Sequence, residues 1–291
     1  WMRAPAVVVA AFLAAAGVPN AQQLYHNHPV RFVIGYPPGG TSDLVGRVVA
    51  TKLAEVLGQP VVVDNRPGAA GLIAARLVQQ AAPDGYTLLL APSDLTLAAG
   101  LPATPPYDPA TDFAPIGLLI NYPHVLVANP EVPANDAKEL IALARKEPGR
   151  INFASGGTGG SNHISGESFL NAAGINLTNV PYKGNAPALA DLVGGHVDAM
   201  FSNLSDALPQ AKGGNVRMIA LSSNKRAPLA PDVPTVAESG YPDYNVLTWN
   251  GLVAPAKTPK PIVDKIASTL VAAVKDPKFA ERLSQFGVDP L

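Results

Sequence analysis

Apolar positions along this chain change rhythm at regular intervals. A strand-like run, Val30 to Gly35, apolar except for Arg31, gives way to the turn residues Tyr36-Pro37-Pro38-Gly39-Gly40. From about Ser42 the apolar positions Leu44, Val45, Val48, Val49, Leu53, Val56 and Leu57 recur at helical spacing, and Gly58 ends the series. A short continuous apolar run predicts a strand buried on both faces; the helical spacing predicts a helix with one apolar stripe. Val61 to Val63 is a second such strand. Gly68 to Gly71 opens a helix that runs to about Gln80, and Pro83-Asp84-Gly85 turns the chain into a third strand, Tyr86 to Leu90. The order strand, helix, strand, helix, strand predicts a parallel sheet with helices on both faces.

The same rhythm restarts near Val125-Leu126-Val127. A helix from Asp136 to Lys146 opens with Asp136 and Glu139 in capping-box spacing. Strand Ile151 to Ala154 leads into Ser155-Gly156-Gly157-Thr158-Gly159-Gly160-Ser161 and a helix to about Ala172. Strand Leu177 to Val180, helix Ala186 to Val193, strand Val197 to Phe201 and strand Met218 to Leu221 follow. The last part holds a strand around Val246 to Val253 and two helices. Thr258 before Pro259 and Pro261, and Asp276 before Pro277, are read as caps with proline in the first turn. No flexible linker separates the two runs, which predicts two packed α/β lobes with a cleft between them, ligands sitting beyond the carboxyl ends of the strands. The expected division is lobe one over 29–120 and 222–291 and lobe two over 121–221, with the hinge near Val125–Val127 and Met218–Leu221.

Composition narrows the class. Apolar residues make up 47% and charged residues 15%, with a net charge of −1. That is a folded globular chain without the basic footprint a phosphate backbone demands, so no nucleic-acid partner is expected. There are no cysteines, which excludes a disulfide framework, a thiolate metal site and a lipoprotein anchor. His26 and His28 form the only close histidine pair and read as a solvated terminus, so no metal and no cofactor is expected. Arg3, the apolar stretch Ala4 to Val18 and the small residues up to Ala21 read as an export signal over 1–21, because the stretch is too short to span a bilayer.

Two loops carry the chemistry, Pro37 to Asp43 and Ser155 to Ser161. Each follows a strand and opens a helix. Glycine lets the backbone approach a ligand, and a helix N-terminus presents unpaired N–H groups with partial positive charge. Facing each other, the loops suit the two ends of a dianion, or one carboxylate and a polar tail. Neither is a nucleotide signature: the P-loop lysine and the dinucleotide glycine spacing are missing. There is no nucleophile elbow. Ser161 and His163 are two apart on a helix and do not face each other. Asp43, Asp94 and Asp198 fall in different elements and signal no acid–base pair. No arginine lies in either loop, which predicts an anion held by backbone N–H groups.

Tyr36-Pro37-Pro38-Gly39-Gly40-Thr41-Ser42-Asp43, then Val180-Pro181-Tyr182-Lys183-Gly184, Ala186-Pro187-Ala188-Leu189 and Gly194-Gly195-His196-Val197-Asp198, and finally Pro231-Asp232-Val233-Pro234-Thr235, resemble in order the motifs of one family. It is the Bug, or TctC-like, family of substrate-binding subunits of tripartite tricarboxylate transporters, and the resemblance runs from about Pro29 to Gly287. It implies a type II periplasmic-binding-protein fold, a small carboxylate, amide or amino-acid ligand, the membrane subunits of a secondary transporter as partners, a periplasmic location and a monomer. It implies no enzyme; a sensor subunit for a membrane kinase and a hydrolase using Ser161 or Ser93 are the competing readings. Carried over by position, the first-lobe contacts are Tyr36, Pro38, Gly39, Gly40, Thr41, Asp43, Ser93 and Asp94. The second-lobe contacts are Ser155, Gly156, Thr158, Gly160, Ser161, Tyr182, Asp198, Ser202 and Asn203. The chain departs from the family at Pro92-Ser93-Asp94, where neutral residues are common, and near Ser202-Asn203, where an aspartate is common. An acid at Asp94 that faces the pocket favours a ligand with a hydrogen donor and penalises a second carboxylate.

Overall fold

The computed structural model describes residues 28–97, 100 and 106–291, so the expected export signal lies outside the described residues. Strand β1 (Val30–Ile34) pairs in parallel with β2 (Val61–Asn65) and β3 (Thr87–Pro92). Side chains alternate across a strand. Phe32 and Ile34 therefore face helix α1 (Thr41–Leu57), burying Val45, Val49 and Leu53, while Val33 faces helix α2 (Leu72–Gln79) with Ala74 and Val78. Both faces are covered at β1 and β3, which is why these strands read as mostly apolar runs; β2, expected to be buried as well, is the edge strand of the sheet and leaves Val62 53% exposed. The stretch expected to open α2 is a short 3₁₀ turn, Ala69–Gly71, with Ala69 and Ala70 at φ 48° and 52°. A short helix α3 (Asp94–Leu97) follows β3.

Strand β4 runs from Phe113 to Ala128 and belongs to two sheets. Its first part pairs antiparallel with β9 (Leu247–Pro255), which pairs in turn with β3. From His124 onward it pairs with β7 (Ala199–Asn203), and from Val125 with β8 (Arg217–Leu221). In the second sheet β5 (Asn152–Ser155) lies parallel to β7 and β6 (Thr178–Pro181). Helices α4 (Ala137–Lys146) and α5 (Ser161–Ala173) cover one face with Leu140, Ile141 and Phe169; α6 (Asn185–Val193) and α7 (Leu204–Lys212) cover the other with Leu189, Leu192 and Ala207. The strand order is β2-β1-β3-β9-β4-β7-β5-β6.

The chain returns to the first sheet later than residue 222. Val236 and Tyr244 pack in one core of the second sheet and Ala227, Ala230 and Val233 in the other. Backbone bonds from Leu221 N–H to Pro234 O (2.8 Å) and from Val246 N–H to Ser222 O (2.8 Å) hold the segment there. The first sheet is re-entered at Leu247. Helices α8 (Lys260–Val274) and α9 (Pro277–Ser284) bury Ile266, Leu270, Phe279 and Leu283 beside α1, and β10 (Asp289–Pro290) adds to β4. Asp276 caps α9 by accepting from Lys278 N–H, as expected. Thr258 does not cap α8: the cap position is Pro259, and the Thr258 hydroxyl is buried without a partner. Asp136 accepts from Glu139 N–H at 2.8 Å, but the Glu139 carboxylate reaches one residue further back, to Asn135 N–H. No helix among the described residues is long and apolar enough to cross a membrane.

Candidate functional site

A cavity of about 640 Å³ lies between the two sheets, at the carboxyl ends of β1, β3, β5 and β7. The loops after β1 and β5 form its two facing lips. Each leads into a helix whose cap residue is glycine, Gly40 for α1 (φ −80°) and Gly160 for α5 (φ −72°), and neither cap contributes a side-chain hydrogen bond. The first N–H groups of each helix are therefore not occupied by their own cap, as they are at serine- or aspartate-capped helices.

The first loop is held from behind. Asp43 Oδ2 accepts from Gly39 N–H and from Arg47 Nε, both at 2.9 Å, and Oδ1 accepts from Asn65 Nδ2 at 2.9 Å. Asn65 Nδ2 also donates to Tyr36 O. Burial works to raise the Asp43 pKa, but the bonds from Arg47, Gly39 and Asn65 hold it below the usual value. Asp43 thus tightens the loop and does not line the cavity.

The second loop is met from across the cleft. Asp94, carried beyond the end of β3, accepts from Tyr36 Oη through Oδ2 and from Ser161 N–H at 2.8 Å through Oδ1. Ser161 is the first residue of α5, so the lobe-one acid sits on the lobe-two helix N-terminus. Burial raises the Asp94 pKa against the bonds from Tyr36 and Ser161, and burial with Asp94 alongside raises that of Tyr36 well above its ordinary value. Thr41 Oγ1 and Ser205 Oγ form a second hydrogen bond across the cleft.

Of the expected contacts, Tyr36, Pro38, Gly39, Gly40, Thr41 and Asp94 line the cavity from the first side; Gly156, Gly160, Ser161 and Asn203 line it from the second. Others lie one layer back. Ser93 Oγ pairs with Thr248 Oγ1 at 2.6 Å, Ser202 Oγ accepts from Asn185 Nδ2 at 3.1 Å, and Ser155 is fully buried. Three point elsewhere. Thr158 is exposed on the loop, and Tyr182 Oη donates to Asp191 at 2.7 Å. Asp198 precedes β7 and accepts from Asn152 N–H at 2.9 Å. The cleft is at the other end of that strand, roughly 16 Å away at ~3.3 Å per residue.

Sequence reasoning missed Tyr122, Asn162, Asn185 and Asp206, which also line the cavity. Asn185 was within reach, since it follows the matched Tyr182-Lys183-Gly184. Asp206 lies on α7, whose interior Pro209 obscures the helical pattern. Its carboxylate accepts from Asn185 Nδ2 at 2.7 Å and Asn203 Nδ2 at 3.1 Å, and burial raises its pKa. Asp206 thus places an acid beside Asn203, in the neighbourhood where the family commonly carries an aspartate. The wall of α6 adds Ala186, Leu189, Ala190 and Val193.

A family model described as "Tripartite tricarboxylate transporter family receptor" matches residues 45–291. Protein BugT of Bordetella pertussis is 36% identical over 288 residues, spanning 98% of this chain and 88% of that protein. The structure of the periplasmic binding protein BugD is similar at TM-score 0.84 and 41% identity, over 90% of this chain and 88% of that one. An R. palustris protein in complex with adipate is similar at TM-score 0.86 and 34% identity, over 90% and 88% of the respective chains. The two-lobed periplasmic-binding-protein architecture is thereby the fold of this chain.

Proposed function

The chain belongs to the TctC family of tripartite tricarboxylate transporter receptors, and on that premise we propose how its cleft captures a small organic carboxylate. The family consists of solute-binding proteins of the periplasm, not enzymes. In keeping with this, Ser93 Oγ is engaged with Thr248, and His163 Nδ1 accepts from Gly159 N–H instead of turning to Ser161. The carboxylate sits at the N-terminus of α1, held by the N–H groups of Gly40, Thr41 and Ser42 with help from the Thr41 hydroxyl, while Gly39 N–H stays on Asp43. The observation that carries this is the glycine cap of α1: it opens onto the cavity, supplies no side-chain bond of its own, and is braced from behind by Asp43. A helix terminus contributes on the order of 0.3–2 kcal/mol to an anion. Charge-assisted hydrogen bonds at about 1.5–3 kcal/mol each bring the total into the micromolar range, about −8 kcal/mol. The adipate found in an R. palustris relative supports a carboxylate ligand.

The lobes divide within β4 near Asn121–His124 and again near Val246–Leu247, and closing them around the ligand presents one surface to the membrane subunits of a secondary transporter. The protein is exported by its residue 1–21 signal and acts as a monomer. Gly40→Val tests the site. Gly40 has an ordinary φ, and an added Cβ meets nothing nearer than Pro37 O at 3.9 Å, so the variant folds while its side chain fills the anion seat. Calorimetry with the ligand identified by mass spectrometry of freshly purified, denatured protein should show a loss of about a hundredfold or more. Unchanged affinity places the seat elsewhere.

A further inference from the structure

We propose that Asp94 and Asp206 make this cleft select a ligand with one carboxylate, an apolar body and a hydrogen-donating far end, and reject dicarboxylates. The proposal rests on the carboxylate-capture reading above. A dianion held at both ends needs donors or positive charge at both ends. The lining residues include no lysine, arginine or histidine among those described, whereas two carboxylates line the cavity from opposite lobes. One end has its donors, at the uncapped N-terminus of α1. The other end, the N-terminus of α5, is already taken: Asp94 Oδ1 holds Ser161 N–H at 2.8 Å where a second ligand carboxylate would bind.

Asp206 sharpens the asymmetry. Asn185 and Asn203 turn their amide donors to its Oδ2, while Oδ1 takes a 3.3 Å contact from Ser205. An ionised carboxylate accepts about four hydrogen bonds, so Oδ1 keeps capacity for an ammonium, amide or hydroxyl. Burial disfavours the charged form of both acids, and a donor or a cation relieves that where another anion aggravates it. Between the polar ends the wall is apolar. Ala186, Leu189, Ala190 and Val193 repeat at i, i+3, i+4 and i+7, so α6 turns one stripe to the cavity, and Val193 stays 36% exposed there.

Three probes of one length isolate the far end: caproate, ε-aminocaproate and adipate finish in methyl, ammonium and carboxylate. Calorimetry on the whole chain should rank ε-aminocaproate above adipate by about tenfold or more. Asp94→Asn and Asp206→Asn, with folding checked by circular dichroism, should each reduce that ratio to about threefold or less. Adipate as the tightest probe for the unmodified protein, or an ε-aminocaproate advantage that survives both substitutions, overturns the proposal. Gly40→Val separates the two levels. If it abolishes binding of all probes while their ranking contradicts the proposal, only the selectivity is wrong. If it leaves all three unchanged, the carboxylate seat itself is misplaced. Heat from none of the probes overturns both.

Discussion

Asp43 and Asp94 both flank a glycine loop, and their surroundings push them in opposite directions. Asp43 is four residues from Arg47 on α1, so the two pair behind the loop and the acid stays ionised. Asp94 has no cation within its set of partners and is buried against a phenol and a backbone N–H. A carboxyl whose folded pKa is raised above 3.8 binds more protons in the folded state than in the unfolded one. Its contribution to stability therefore falls as pH rises from the unfolded value through the folded one. Asp94→Asn removes this term. The melting temperature of the variant relative to the unmodified protein should rise as pH goes from about 4 to 7. A difference that stays flat with pH shows that Asp94 carries no buried charge. The residue pattern made both loops legible, because glycine runs between a strand and a helix have few other uses. It did not say which acid turns inward: Asp94, Asp198 and Asp43 all stand at element ends, and only strand direction and helix phase separate them.

At the scale of elements, the crossing strand β4 is the point where the two sheets meet. His124 sits at the change-over, 1% exposed, sharing a hydrogen bond with Ser165 Oγ at 2.8 Å, while its backbone N–H donates to Ser222 Oγ at 2.9 Å. Burial lowers its pKa from 6.5 to about 4. The unfolded chain therefore takes up a proton in a range where the folded protein does not, and stability held above pH 6.5 is lost as pH falls towards about 4. The span is on the order of 3 kcal/mol. His124→Gln should be less stable at neutral pH but lose less on acidification, as read from urea midpoints at several pH values. An acid loss equal to that of the unmodified protein assigns the loss to other groups. The sign is opposite to that of Asp94, so the two need separate variants. Strand β4 was only half legible. Val125 to Val127 forms a clean apolar run, but Pro115, Gly117 and Pro123 interrupt the earlier half, and the pairing with β9 shifts register around Gly117 and Ile120. Helix α7 was hidden by Pro209. The 222–246 segment has almost no regular structure, and its apolar residues reveal their lobe only through contacts made in three dimensions.

For the whole molecule, the alternation of strand and helix was enough to predict two α/β lobes and a cleft, since parallel strands need helices on both faces. The bonds Asp94–Ser161 and Thr41–Ser205 tie the two lobes together across the cleft. A ligand that touches both lips binds the closed form better and shifts the population towards it. Small-angle scattering should give a smaller radius of gyration with saturating ligand, and Asp94→Ala should enlarge the ligand-free protein. No change in either case, with binding verified by calorimetry, means that the lobes do not move.

The position of β9 has a consequence for how this chain is made. In the first sheet it lies between β3 and β4, so it is an interior strand, yet it is built from Leu247–Pro255, after the whole second lobe. Until that stretch leaves the ribosome, β3 and β4 have no partner to join them, and the first lobe remains an open half-sheet. The second lobe, whose strands all lie between β4 and β8, can close earlier. Synthesis therefore runs against the order of assembly: the amino-terminal lobe is the last to be completed. Such long-range pairing folds slowly. The amino-terminal portion of such a nascent chain stays unclosed almost to the end of synthesis, a condition under which that portion can still be threaded through a narrow channel.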